Sequence, residues 1–285
     1  MIDSSPNPLS EKVKLVISDI DGTLVNNARE LTPRARKAVF ALRDAGIRFT
    51  VISARPPSGV APLMAVLQIA EPVACFNGAL FVSPEHKPVA EKTMRPEDVL
   101  RVGHTIQSYG LDVWLYSPQG WFVSNLHGSH VEHQTWLVQL QPQAIKDLET
   151  LTAGVWKMVG VSDNFDAVVR CETQLQQDLS LQVSATRSQS YYLDVSHRDA
   201  NKGAAVEQIA RLTRVPTEQI ATIGDMPTDV FMFRVSGVSI AMGNASADVQ
   251  SAATYVTASN EEDGFALAME RYFLAQSSTS ATTRT

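Results

Sequence analysis

Two aspartates stand two residues apart in the run Val16-Ile17-Ser18-Asp19-Ile20-Asp21-Gly22-Thr23-Leu24. Apolar and β-branched residues lead up to Asp19, which reads as a buried strand. Such a strand delivers Asp19 at its C-terminal end, where open α/β sheets bind their ligands. Gly22 permits a sharp bend and lets backbone N–H groups approach an anion closely. Two carboxylates this close repel in a dry site, and a hard cation such as Mg²⁺ between them removes that cost. With the cation present, one carboxylate can attack a phosphoryl group while the other moves a proton. A calcium loop is the competing reading, because Glu30 falls at the twelfth position from Asp19. Against it, glycine stands at position four instead of six, and Thr23 and Val25 occupy ligand positions.

The elements around this turn repeat its logic. Thr32 is placed to cap a helix with Pro33 at its first position, Ala35, Val39, Ala41 and Leu42 form its apolar stripe, and Gly46 ends it. Residues 47–52 form the next strand, so the strand–helix–strand order predicts a parallel pair. Ser53 then shares a sheet edge with Asp19, in the stretch Ser53-Ala54-Arg55. Its hydroxyl suits either phosphate oxygens or a helix cap, and Arg55 suits either a phosphate or solvent. A helix is expected over 57–70 and a third strand over 73–76, ending in Asn77-Gly78. That pair signals a tight turn first and places Asn77 at a pocket edge second.

From about residue 83 the rhythm changes to short strands (112–116, 121–125, 155–161, 181–185) and helices (96–109, 143–152, 163–179). Residues 84–189 read as an inserted α+β domain, and 191–195 as a strand returning to the first domain. His127, His130 and His133 invite a zinc reading, but their spacing and the intervening Gly128 and Ser129 favour a solvated loop. Lys202 falls near a helix N-terminus, where a cation is disfavoured unless an anion sits there. Residues 220–224 form a strand tipped by Asp225-Met226-Pro227-Thr228-Asp229. Asp225 is placed as a metal ligand, and Asp229 to hold a metal-bound water or orient Lys202, although acids here also cap helices.

Composition bounds the class. The 285 residues carry 24 Lys and Arg against 30 Asp and Glu, a net charge of −6, which opposes a general nucleic-acid or anionic-membrane surface. Cys75 and Cys171 lack metal-ligand spacing and read as buried thiols in a reducing compartment. With no apolar signal region and no apolar run of spanning length, a cytoplasmic protein is expected. Residues 1–10 and 276–285 read as flexible tails.

Six stretches in order resemble the haloacid dehalogenase superfamily, Cof type: Asp19-Ile20-Asp21-Gly22-Thr23-Leu24, Ser53-Ala54-Arg55, Asn77-Gly78-Ala79, Lys202-Gly203, Gly224 to Asp229, and Ala241-Met242-Gly243-Asn244-Ala245. The resemblance implies a Rossmann-like, doubly wound parallel-sheet core, at 11–83 and 190–275, with an α+β cap inserted at 84–189 after the third core strand. It implies a Mg²⁺-dependent phosphatase of a small, sugar-phosphate-like metabolite. Asp19 would attack phosphorus and form an aspartyl-phosphate, and Asp21 would protonate the leaving alkoxide and then activate water. Gly22, Ser53, Ala54, Arg55, Asn77 and Lys202 would line the phosphate or substrate, with Ser53 and Lys202 on the transferring group. Asp19, the backbone carbonyl of Asp21, and Asp225 would bind Mg²⁺, supported by Asp229 and Thr228. The family usually has Asn where this chain has Thr228, and Thr-Gly-Arg where it has Ser53-Ala54-Arg55. A phosphomutase, or a phosphometabolite-binding protein without turnover, is the alternative.

Overall fold

The computed structural model describes residue 9 and residues 12–274. The expected tails therefore lie outside the described residues, Leu9 apart. In chain order the strands are β1 (Leu15–Ser18), β2 (Arg48–Val51), β3 (Val73–Cys75), β4 (Leu80–Val82), β5 (Pro88–Glu91), β6 (Asp112–Ser117), β7 (Gly120–Val123), β8 (Pro142–Ala144), β9 (Lys157–Val161), β10 (Val183–Gln189), β11 (Tyr192–His197), β12 (Ile220–Gly224), β13 (Val238–Ala241) and β14 (Tyr255–Val256). The helices are α1 (Pro33–Asp44), α2 (Pro57–Leu67), α3 (Pro96–Ser108), α4 (Val131–Val138), α5 (Phe165–Leu179), α6 (Lys202–Thr213), α7 (Val230–Phe233), α8 (Ala247–Ser251) and α9 (Gly264–Tyr272). By residue contacts the chain forms two compact units, Met1–Ile52 with Leu67–Glu71 and Val206–Thr285, and Ser53–Val66 with Pro72–Ala205.

The first unit is built on a five-stranded, all-parallel sheet in the order β14-β13-β12-β1-β2. Every residue of β1, β12 and β13 is buried. Strands buried on both faces belong to a parallel sheet with cover on each side, the doubly wound arrangement. The crossover helix α1 starts as its sequence dictates: Thr32 Oγ1 accepts from Ala35 N at 3.1 Å, with Pro33 at the first turn. It packs against α9, and Phe265 of α9 meets Phe49 of β2 edge to face at 5.8 Å.

The second unit holds a six-stranded sheet, β10-β11-β9-β6-β7-β8, antiparallel except for the β7–β8 pair. Val113, Leu115, Phe122, Met158, Leu193 and Val195 alternate onto one face and form a core with residues of α3 and α5. The unit also holds the antiparallel sheet β3-β4-β5.

Several expectations are corrected. The third strand exists as β3, but it pairs antiparallel with β4 and is absent from the five-stranded sheet. Phe76, Asn77 and Gly78 take φ of 50°, 55° and 101°, so the chain folds straight back on itself. The strand expected to return to the first domain is β11, and it lies between β10 and β9. The helix expected over 143–152 is instead β8 and a 3₁₀ turn, Leu148–Leu151, capped where Asp147 Oδ1 accepts from Glu149 N at 3.0 Å. The loop expected around the three histidines contains α4, with His133 on it. His130 stacks on Tyr191 at 4.0 Å, and its Nε2 lies 2.8 Å from Asp163 Oδ1. Among the described residues no helix is long and apolar enough to cross a membrane.

Both cysteines are free and buried. Burial pushes the Cys171 thiol up to about 12 and raises that of Cys75 as well. The thiolate is the reactive form, so neither should react readily in the folded chain near neutral pH. A colorimetric disulfide reagent should find no fast thiol in native protein and two after urea unfolding.

Candidate active site

The first unit assembles the acids. Ser18 of β1 lies opposite Ile223 of β12, and Asp19 N donates to Ile223 O at 3.0 Å. Both strands run the same way, so Asp19 and Asp225 leave adjacent C-terminal ends together. Asp19, Asp225 and Asp229 each offer a carboxylate oxygen within 4.8 Å of the others, and they are only 5%, 8% and 0% exposed. Asp229 Oδ2 accepts from the N–H groups of Asp225 and Met226, both at 2.8 Å, at the 3₁₀ turn Pro227–Asp229. Thr23 Oγ1 donates to Asp225 Oδ1 at 2.8 Å. Like charges this close and this buried require compensation. The donors are hard oxygens, which fit a Mg²⁺ ion and not a thiolate- or imidazole-seeking metal.

Space for this group depends on glycine. Gly22 has φ +81°, and a Cβ there would stand 2.4 Å from Asp225 Oδ2. A Cβ on Gly224 would stand 2.4 Å from Asp229 Cγ. The turn itself is tight, since the N–H groups of Thr23, Leu24 and Val25 converge on Ile20 O at 3.0–3.3 Å. Asp21 sits partly buried on this turn, outside the group of three carboxylates. Thr228 is half-buried in the turn before Asp229.

The second unit assembles the remaining candidates. Ser53 is buried, its N donates to Ala74 O at 2.9 Å, and its O accepts from Asn77 N at 2.8 Å. Its Oγ accepts from Arg55 N at 3.1 Å. Asn77 is held in the left-handed region, and its Oδ1 is buried with no hydrogen-bond partner among the described residues. Gly78 packs on the start of α6: a Cβ there would meet Ala205 Cβ at 2.8 Å and Asn201 O at 3.3 Å. Asn201 Oδ1 accepts from Ala204 N at 3.0 Å, and Lys202, 4% exposed, is the first residue of that helix. A buried ammonium at the positive end of a helix calls for an anion. Ser53, Asn77 and the start of α6 thus come together, whereas Arg55 Nη1 donates to Gly59 O at 3.1 Å and the Ala54 methyl is exposed.

Two asparagines were assigned no role in the sequence. Asn244 Nδ2 donates to Gly22 O at 2.9 Å and lies 3.5 Å from Asp225 Oδ2. Buried Asn260 donates from N to Asn244 Oδ1 at 3.0 Å, and from Nδ2 to Val25 O at 3.2 Å and Asn27 Oδ1 at 3.1 Å. Together they clamp both ends of the Asp21 turn. The place of Asn244 just after a strand was the available signal, while Asn260 had none.

A family model described as haloacid dehalogenase-like hydrolase matches residues 16–269. The chain belongs to this family. As a member it is an enzyme of the phosphoric monoester hydrolase class. The crystal structure of a haloacid dehalogenase-like hydrolase from Bacteroides thetaiotaomicron is similar with a TM-score of 0.83 at 28% identity, over 91% of this chain and 99% of that one. YxeH of Bacillus subtilis is 28% identical over 275 residues, 92% of this chain and 99% of its own. YwtE of the same organism, a 5-amino-6-(5-phospho-D-ribitylamino)uracil phosphatase, is 25% identical over 289 residues, 93% of this chain and 98% of its own. The parallel core and the α+β sheet fit a haloacid dehalogenase fold with a Rossmann-like core and a cap.

Asn260→Ala removes a side chain that satisfies two buried or part-buried acceptors. It should destabilise the chain by about 1–3 kcal/mol, read as a lower urea midpoint at unchanged slope.

Proposed function

We propose that this chain is a Mg²⁺-dependent phosphatase that hydrolyses a small, sugar-phosphate-like metabolite through an aspartyl-phosphate on Asp19. The observation that carries the reading is the buried group of Asp19, Asp225 and Asp229 at the ends of β1 and β12. Asp19, Asp225 and the backbone carbonyl of Asp21 would hold Mg²⁺, with Asp229 and Thr228 supporting them. The ion would supply positive charge against the phosphoryl oxygens and the crowded carboxylates.

The residues divide the work as follows. A carboxylate oxygen of Asp19 attacks phosphorus, and the bond to the ester oxygen breaks. Asp21 gives its proton to the departing alkoxide, then takes one from water. That water attacks the phosphorus of the aspartyl-phosphate, freeing inorganic phosphate and restoring Asp19. Ser53 and Lys202 hold the transferring group, and the buried ammonium of Lys202 offsets charge developing on its oxygens. Gly22 and Asn77 would complete the phosphate contacts, and Ala54 would leave room in the same loop, while Arg55 is turned to Gly59 O. The inserted cap, over 84–189, would contact the leaving group. YwtE supports a polyol phosphate ester as substrate, because its named substrate carries a phosphoribityl chain.

Phosphate release from sugar phosphates should need added Mg²⁺ and stop with EDTA. Asp19→Asn keeps the shape but removes the attacking charge, so release should fall by at least about a thousandfold. Activity near that of the wild type in this variant would refute the mechanism. An isomerised sugar phosphate in place of free phosphate would identify a mutase.

A further inference from the structure

The side-chain amide of Asn244 joins segments of the first unit that lie far apart in the chain. Its Nδ2 donates to Gly22 O at 2.9 Å and lies 3.5 Å from Asp225 Oδ2, while its Oδ1 accepts from Asn260 N at 3.0 Å. Gly22 belongs to the Asp21 turn, and Asp225 follows the last residue of β12. One NH₂ group therefore faces both the turn that carries Asp21 and a member of the buried acid group.

The direction of this amide is determined by its neighbours. An amide has donors on one side and an acceptor on the other, and turning it over exchanges them. With Asn244 turned over, two donors would meet at Asn260 N and two acceptors at Gly22 O. Asn260 is itself fixed. It starts the 3₁₀ turn Asn260–Glu262, where Ser259 and Glu262 form a capping box, and its own Nδ2 donates to Val25 O and Asn27 Oδ1. The backbone on each side of Asn244 is fixed too, because Gln250 Nε2 donates to Gly243 O at 3.1 Å and to Ala245 O at 3.0 Å. A Cβ on Gly243 would stand 2.8 Å from Ala258 C and Ser259 N, so this loop packs closely on the segment that leads to Asn260.

Asp225 is thereby met at both oxygens. Thr23 Oγ1 donates to Oδ1 at 2.8 Å, and Asn244 Nδ2 approaches Oδ2. Both groups are neutral, so they orient the carboxylate without cancelling its charge. The Gly22 carbonyl is one peptide beyond that of Asp21, so holding it limits how far the Asp21 carbonyl can turn. A cation binds most tightly where its ligands are already in place. Asn244 is also exposed, unlike the three acids. Water can replace the hydrogen bonds of an exposed side chain, so its effect on folding is separable from its effect on the acids.

We propose that Asn244 is a positioning residue for the cation: its amide fixes Asp225 and the Asp21 turn in the arrangement that binds Mg²⁺, and Asn260 sets the direction of the amide. The assignment rests on the Mg²⁺-dependent reading above. It gives metal affinity to a pair of uncharged side chains that are not themselves ligands.

The test titrates the metal-free full chain with MgCl₂ by isothermal calorimetry, in the wild type, Asn244→Ala and the near-isosteric Asn244→Leu. Both variants lose the amide, and leucine keeps its bulk. The Mg²⁺ Kd should rise about tenfold in each, while the urea midpoint of the metal-free chain stays close to that of the wild type. The Mg²⁺ concentration that half-activates phosphate release from D-ribose 5-phosphate should rise by the same factor. An unchanged Kd in both variants, or a wild-type Kd in Asn244→Leu alone, would overturn the role of the amide and leave the phosphatase reading standing. A steep fall of the urea midpoint in both variants would make Asn244 a support of the fold and overturn the role equally. No Mg²⁺ binding by the wild type would overturn the metal reading and the assignment together.

Discussion

Three buried carboxylates in mutual reach are an electrostatic cost that the fold of the first unit is arranged to bear. Removing a carboxylate from water costs several kcal/mol even after relaxation, and Asp19, Asp225 and Asp229 concentrate that cost in one place. Two backbone N–H groups answer Asp229, and the Thr23 hydroxyl answers Asp225. Neither device cancels a full charge. The parallel register of β1 against β12 fixes which carboxylates face each other, and glycines 22 and 224 remove the atoms that would otherwise occupy their places. The result is a compact set of oxygen donors of the kind that suits a hard cation.

The second unit holds the opposite problem in miniature. Lys202 brings a positive charge into burial at the start of α6, where the helix already presents its positive end. The neighbouring turn is strained as well, with Phe76 and Asn77 both at positive φ and an Asn77 Oδ1 that has no hydrogen-bond partner among the described residues.

The parts of the site that were legible in the sequence are local. A run of apolar residues ending in an acid needs no distant partner to be read, so Asp19 and Asp225 stood out. Lys202 stood out because a helix start is also a local signal. What escaped depends on distance along the chain or on side chains that break local rules. Asn260 acts on Val25, 235 residues away, so no window of sequence contains both. Phenylalanine rarely takes positive φ, and Phe76 does, so the sequence signals a strand over 73–76 but not its antiparallel hairpin with β4. Pro142 starts a short strand that pairs with β7, a tertiary choice that overrode the helical pattern expected from 143 onward. Residues 192–197 alternate in the same way whichever sheet they join, so nothing local contradicts the return to the first domain expected of 191–195.

The pairing of Leu15 with Ile220 joins points separated by most of the chain. At ribosomal rates of about 5–20 residues per second, β1 waits on the order of 10–40 s before its partner is made. Its other neighbour, β2, arrives within a few seconds at the same rates. A nascent chain therefore carries one apolar strand edge open through the synthesis of the whole second unit. Asp19 stays without its companion acids until that interval ends.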